Sequence, residues 1–159
     1  MINQENESYS VAKFMMVTCK HLGNVIVCDD KASVSLVDPK TMSKIATIPP
    51  PTDNCYLYSV YKHELSNTIY LGFDDKKMIG IDSNRYNNKS LMPLDVAILQ
   101  FTEFHADPAN YVILACEYGK IKILQPSRNM IVASFDIELA IKDYQKEQNN
   151  NEELDLSQP

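Results

Sequence analysis

Three histidines, His21, His63 and His105, are the residues of this chain best suited to proton transfer or metal binding, and Cys19, Cys28, Cys55 and Cys116 are its candidate thiolates. A nucleophilic active site needs Ser or Cys, a His base and an orienting carboxylate brought together. No GxSxG or HExxH run accompanies any of the histidines, and each lies in or beside a predicted turn. The same histidines and cysteines could in principle hold zinc across neighbouring repeats, but no CxxC pair occurs and the spacings read as irregular. The cysteines sit in apolar or strand-like surroundings, which predicts buried free thiols. Asp29-Asp30-Lys31 recurs as Asp74-Asp75-Lys76, where carboxylates could be imagined around calcium. Turn chemistry explains the recurrence better, because Asp accepts hydrogen bonds from nearby backbone N–H groups in tight connections. The glycines, Gly23, Gly72, Gly80 and Gly119, form no phosphate-cradling cluster. The sequence therefore nominates no catalytic residue, no metal ligand and no cofactor.

The elements that would carry these residues are short strands. The chain has 159 residues, 45% of them hydrophobic, enough for one ordinary globular domain with tails. A net charge of -6 argues against nucleic acid as the main partner. No apolar run reaches the roughly 20 residues of a membrane span, and the N-terminus has no signal-peptide pattern, so a cytoplasmic location is expected. Residues 1-10 are polar and expected to be flexible, and 148-159 are expected to form a disordered polar tail. Between them, β-branched and aromatic runs alternate with Asp, Asn, Gly and Pro over 11-136. Ile137, Ile141 and Tyr144 fall at helical spacing and predict a short amphipathic helix over 137-147.

The strand runs repeat. Val25 to Lys31, Val34 to Asp38 and Lys44 to Ile48 form one strand-turn-strand-turn-strand set; Thr68 to Lys76, Met78 to Asp82 and Ser90 to Leu94 form a second; Tyr111 to Gly119, Ile121 to Gln125 and Met130 to Phe135 form a third. Asp38, Asp82 and Gln125 mark one position at a spacing of about 44 residues. A further strand precedes each set, at Phe14 to Thr18, Tyr56 to Tyr61 and Ile98 to Phe104. Four strands per period of about 40-45 residues is the requirement of a propeller blade. By the same alignment Val37, Ile81 and Leu124 should be equivalent buried positions. Pro49-Pro50-Pro51 and the polar residues after it fit a loop between blades.

The stretch from Phe104-His105-Ala106-Asp107-Pro108 through Cys116, followed by Gly119 to Leu124, resembles the WD40 run in which an aromatic and a turn open the second strand and a Gly turn opens the third. Asp38 and Asp82 stand where that family ends its third strand with Asp, and Val37 and Ile81 stand where Trp is usual. The chain has no Trp and no Gly-His pair before a first strand, so the family's buried Asp-His-Ser-Trp network is not carried over. The resemblance covers about residues 14-136. It implies an all-β fold of three four-stranded antiparallel blades, an incomplete β-propeller followed by a short helix. A small closed β-barrel binding an apolar ligand is the alternative grouping of the same strands.

Tyr56, Tyr58 and Tyr61 cluster after the proline loop and suit either an interface or packing between blades. With Ile137, Ile141 and Tyr144 they are the candidate interface residues. Closed propellers take about 4-8 blades, so three blades leave outer faces that a protein partner or a second copy of the chain would cover. The expected function is a non-catalytic interaction or scaffold module within a larger intracellular assembly, without nucleic acid or membrane as partner.

Overall fold

The computed structural model describes residues 15–18, 25–28, 34–106 and 109–156. The expected flexible segment 1-10 lies outside them, as do Cys19, His21 and Asp29-Asp30-Lys31. Among the described residues twelve strands form three separate four-stranded antiparallel sheets, each a meander in chain order. Sheet 1 holds β1 (Met15–Thr18), β2 (Val25–Cys28), β3 (Val34–Val37) and β4 (Lys44–Ile48). Sheet 2 holds β5 (Leu57–His63), β6 (Thr68–Phe73), β7 (Lys77–Asp82) and β8 (Asn88–Pro93). Sheet 3 holds β9 (Ile98–Ala106), β10 (Ala109–Cys116), β11 (Lys120–Gln125) and β12 (Met130–Asp136). The first strands of successive sheets lie beside one another, β1 next to β5 and β5 next to β9. Among the described residues no strand pairs across sheets, which excludes the closed barrel, since that grouping would run one ladder from strand to strand.

Alternation along each strand decides which sheet it faces. Val34 and Leu36 of sheet 1 meet Ile69, Leu71, Phe73 and Ile81 of sheet 2 in one apolar core. The opposite face of sheet 2, with Tyr70 and Met78, meets Phe101, Val112, Leu114 and Leu124 of sheet 3 in a second. Each inner sheet face is therefore apolar, and sheet 2, covered on both sides, is buried at every position of β6. Close approach at the second seam needs Gly72: a Cβ there would sit 2.6 Å from Ser59 Oγ and 3.0 Å from Ile98 Cβ. Ser59 Oγ uses that proximity to donate to the Ile98 carbonyl at 2.8 Å, pinning sheet 3 to sheet 2.

The turns follow the expected chemistry. Asp38 Oδ1 accepts the Lys40 N–H at 2.8 Å, and Asp82 Oδ1 accepts the N–H groups of Asn84 and Arg85 at 2.9 Å each. These bonds hold the Asp82 carboxyl below its usual range and turn the chain out of the third strand. In the Asp74-Asp75-Lys76 turn, Asp74 Oδ1 accepts the Tyr56 N–H at 2.7 Å and Asp75 accepts the Thr52 hydroxyl, while Lys76 takes a positive φ of 64°. Cys55 and Cys116 are buried free thiols, and burial pushes the Cys116 thiol up to about 11.

Two expectations are corrected. Ile81 and Leu124 are fully buried, but Val37 is only half-buried, because this position faces the preceding sheet and Val37 belongs to the first one. The helix α1 (Ile137–Leu156) begins where expected but runs for 20 residues, so the predicted disordered tail is helical through Leu156. Asp136 Oδ1 caps it by accepting the Leu139 N–H at 3.1 Å, Glu138 pairs with Lys142 one turn on, and no Gly or Pro interrupts the segment.

Candidate functional site

Sheet 3 presents its second face to no other sheet among the described residues. Cross-strand register places Phe104 opposite Tyr111, Ile113 opposite Ile123, and Ile121 opposite Phe135, so all six share that outer face. Phe104 is 49% exposed and Phe135 58% exposed, and the other four are half-buried. Ile121 and Ile123 hold the places in the period that Val34 and Leu36 hold in sheet 1. There the same positions are fully buried by the next sheet. The outer face is thus built like an internal seam.

Helix α1 leaves the edge strand of this sheet, and none of its described side chains is buried against the three sheets. Every one of its described side chains is exposed, including Ile137, Ile141 and Tyr144. A lone helix of this length is marginal in water, because helical stability in proteins comes mostly from packing an apolar stripe. Of the tyrosines, Tyr56 precedes β5 and is half exposed, and Tyr58 is half-buried at a bulge in β5. Tyr61 turns into the seam, stacking on Phe101 with ring centroids 6.0 Å apart and donating its hydroxyl to Glu103 Oε2 at 2.8 Å. The six candidate interface residues therefore divide between sheet 2 and the helix, and the structure does not bring them together.

Sequence reasoning passed over a polar group in the seam between β5 and β9. His63 is buried, with Nε2 3.9 Å from Glu103 Oε1, and His105 Nε2 stands 3.8 Å from the same oxygen. Burial keeps His63 below the usual imidazole range against the pull of Glu103 and Glu64, and burial with Glu103 raises the Tyr61 phenol. The signal was in the spacing: His63 and His105 are one repeat apart, at about 42 residues, and so occupy the same place on the first strands of adjacent sheets. Elsewhere in this seam Asp95 joins Lys122 at 2.7 Å and Lys120 at 3.3 Å, which draws its carboxyl down to about 2. A cavity of about 150 Å³ also opens between sheets 2 and 3 beside Thr68, Lys89 and Asn129. Its polar groups bond one another, Lys89 Nζ to the Ser66 carbonyl at 2.9 Å and Ser90 Oγ to Asn129 Oδ1 at 3.3 Å. It is smaller than the roughly 300 Å³ at which ligand pockets begin.

No family model matches the chain, and no curated protein matches it by sequence. Solved structures do match. The Pan2 WD40 domain of Neurospora crassa superposes with a TM-score of 0.56 at 18% identity, over 79% of this chain and 35% of that one. The RRP9 WD40 repeats give a TM-score of 0.65 at 10% identity, over 80% of this chain and 39% of that one. Sqt1 of Saccharomyces cerevisiae gives 0.59 at 10% identity, over 72% and 31%. The chain has the fold of WD40-type β-propeller blades. It spans between about a third and two fifths of the propeller chains it matches. The three sheets are thus successive blades, and the outer face of sheet 3 is where such a propeller continues into its next blade. Among the described residues no helix is long and apolar enough to cross a membrane.

Proposed function

We propose that this chain is a non-catalytic protein-interaction module, three WD40-type blades that work within a larger cytoplasmic assembly. The docking surface is the outer face of sheet 3 together with α1, and the partner is a protein: another blade-like sheet, from a second copy or a different subunit, laid against Ile121 and Ile123. The observation that supports this most is the partial exposure of Ile121 and Ile123 at positions which the next sheet buries in sheet 1. An apolar sheet face of this kind is unfavourable in water and marks an interaction site. Ile137, Ile141 and Tyr144 extend the apolar surface along the helix and would gain the packing that α1 lacks. The charge of -6 makes nucleic acid a poor partner for the same surface.

Sedimentation of the tagged chain from cell extract, and of the purified chain across micromolar concentrations, tests this. The wild type is expected as a species heavier than the monomer in at least one of the two, and Ile123→Asp as a folded monomer in both. A wild-type monomer under both conditions would overturn the proposal.

A further inference from the structure

Helix α1 is the longest of the described elements, about 30 Å at the rise of an α-helix, and its described side chains are all exposed. The apolar residues of its first half are ordered around the axis. At about 100° per residue, Ile137, Ile141 and Tyr144 fall within an arc of about 60°. Glu138 lies about 90° to one side of that stripe and Glu147 about 90° to the other. Lys142 and Lys146 lie farther round the helix, and Lys142 Nζ reaches Glu138 Oε1 at 2.9 Å from the far side. Carboxylates therefore border the apolar stripe on both sides, while the cations sit away from it.

Charge is uneven along the axis as well. From Glu147 to Leu156 the helix holds Glu147, Glu152, Glu153 and Asp155 and no Lys or Arg, and its last turn has no basic residue. That end carries the negative pole of the helix dipole, so acidic residues there are unfavourable with the peptide groups and with one another. An isolated helix of this length is also marginal in water until its apolar stripe packs. One kind of partner removes both deficits, a surface that is apolar where it meets the stripe and cationic around it.

Taking α1 as part of the docking surface described above, we propose that it binds a basic amphipathic helix of a partner protein. Apolar side chains of that helix lie on Ile137, Ile141 and Tyr144, and its Lys or Arg residues face Glu138, Glu147 and the acidic half beyond. Charges that flank an apolar helix seam set which partner is accepted. Here they also select against a second copy of α1. Two such helices side by side would bring carboxylates against carboxylates in either direction, with their lysines turned away from the seam.

The test uses the full chain and three fluorescent peptides of the same length as α1. One has leucine at i, i+3, i+4 and i+7 with lysine elsewhere, the second has glutamate in place of lysine, and the third scrambles the lysine peptide. Fluorescence anisotropy should show one lysine peptide bound per chain, about tenfold or more tighter than the scrambled one, and no binding of the glutamate peptide. Raising salt from about 50 to about 500 mM should weaken binding about tenfold. Ile141→Gln keeps helix propensity but removes the apolar anchor, and should weaken binding about tenfold; Glu147→Lys should weaken it by a smaller factor. Ile123→Asp, on the outer face of sheet 3, should leave the affinity unchanged, so that failure of sheet docking and failure of the helix site are read separately. No binding of the lysine peptide at about 100 μM would overturn the proposal, since an interface of the expected kind is tighter than that. So would equal affinity for wild type and Ile141→Gln, or for the ordered and scrambled peptides, because each would leave only unspecific attraction to an acidic chain. Self-association of the chain that Ile141→Gln abolishes would overturn it too, by seating a second copy on α1.

Discussion

Leu124 and Ile123 are neighbours on β11 and point to opposite faces of sheet 3, which makes them a paired probe of the blade arrangement. Leu124 is fully buried in the core shared with Tyr70 and Met78, whereas Ile123 lies half-buried on the outer face. Truncating Leu124 to Ala removes methyl groups from a site walled by two sheets, so the cost is the transfer energy plus that of the cavity, about 2-5 kcal/mol. Against a total stability of about 5-15 kcal/mol this is a large fraction. Truncating Ile123 in the monomer removes a side chain already partly in water and leaves no closed cavity, at a cost of about 1 kcal/mol or less. Urea unfolding of the two variants, at a concentration where the chain is monomeric, measures the difference. The midpoint should fall several times further for Leu124→Ala than for Ile123→Ala, with the slope unchanged in both. Equal losses would refute the assignment of inner and outer faces.

Gly72→Ala should destabilise the chain by about 1-3 kcal/mol, because the added methyl collides with Ser59 Oγ at 2.6 Å and displaces its bond to Ile98; urea unfolding checks this, and a neutral result would mean that the seam is looser than described. Asp95→Asn should lower stability at neutral pH and lose its effect as pH falls through about 2. The folded carboxyl titrates at about 2 and the unfolded one near 4, so its contribution is present above about pH 4 and lost as pH falls through 2. With the Asp95 side chain 57% exposed the effect should stay under about 1 kcal/mol and shrink with added salt. His63 has a folded proton affinity below that of the unfolded chain, so its neutral form supports the fold above about pH 6.5 and that support declines as pH drops further. Thermal melts from pH 7.5 to 5 should show this decline in the wild type and a flatter profile in His63→Gln.

Much of the blade architecture was legible because it rests on local chemistry. Asp38 and Asp82 mark the exits of third strands since their carboxylates bond the backbone of the following turn, and that preference is carried by the residue itself. Strand faces were legible too, as the period of two fixes which side chains share a side. Whether a face is covered is another matter. Val37 differs from Ile81 and Leu124 only in which sheet it belongs to, and local pattern cannot supply a missing neighbour. The length of α1 was misread because polar composition was taken for disorder, while Gln, Glu, Lys and Leu between Ile137 and Leu156 are all acceptable in a helix and no breaker is present. The group of Tyr61, His63, Glu103 and His105 spans two sheets, so each member looked like an ordinary strand or turn residue on its own.

Thiol labelling of Ile123→Cys tests most directly whether the outer face of sheet 3 is a covered interface. The rate is measured on the purified chain at low concentration and again on the same chain in native cell extract, with Leu124→Cys as the reference for a position already sealed between sheets. The predicted result is fast labelling of Ile123→Cys in the dilute purified chain, strong protection in extract, and slow labelling of Leu124→Cys in both. Equally fast labelling of Ile123→Cys in both settings would contradict the proposal that another sheet covers this face.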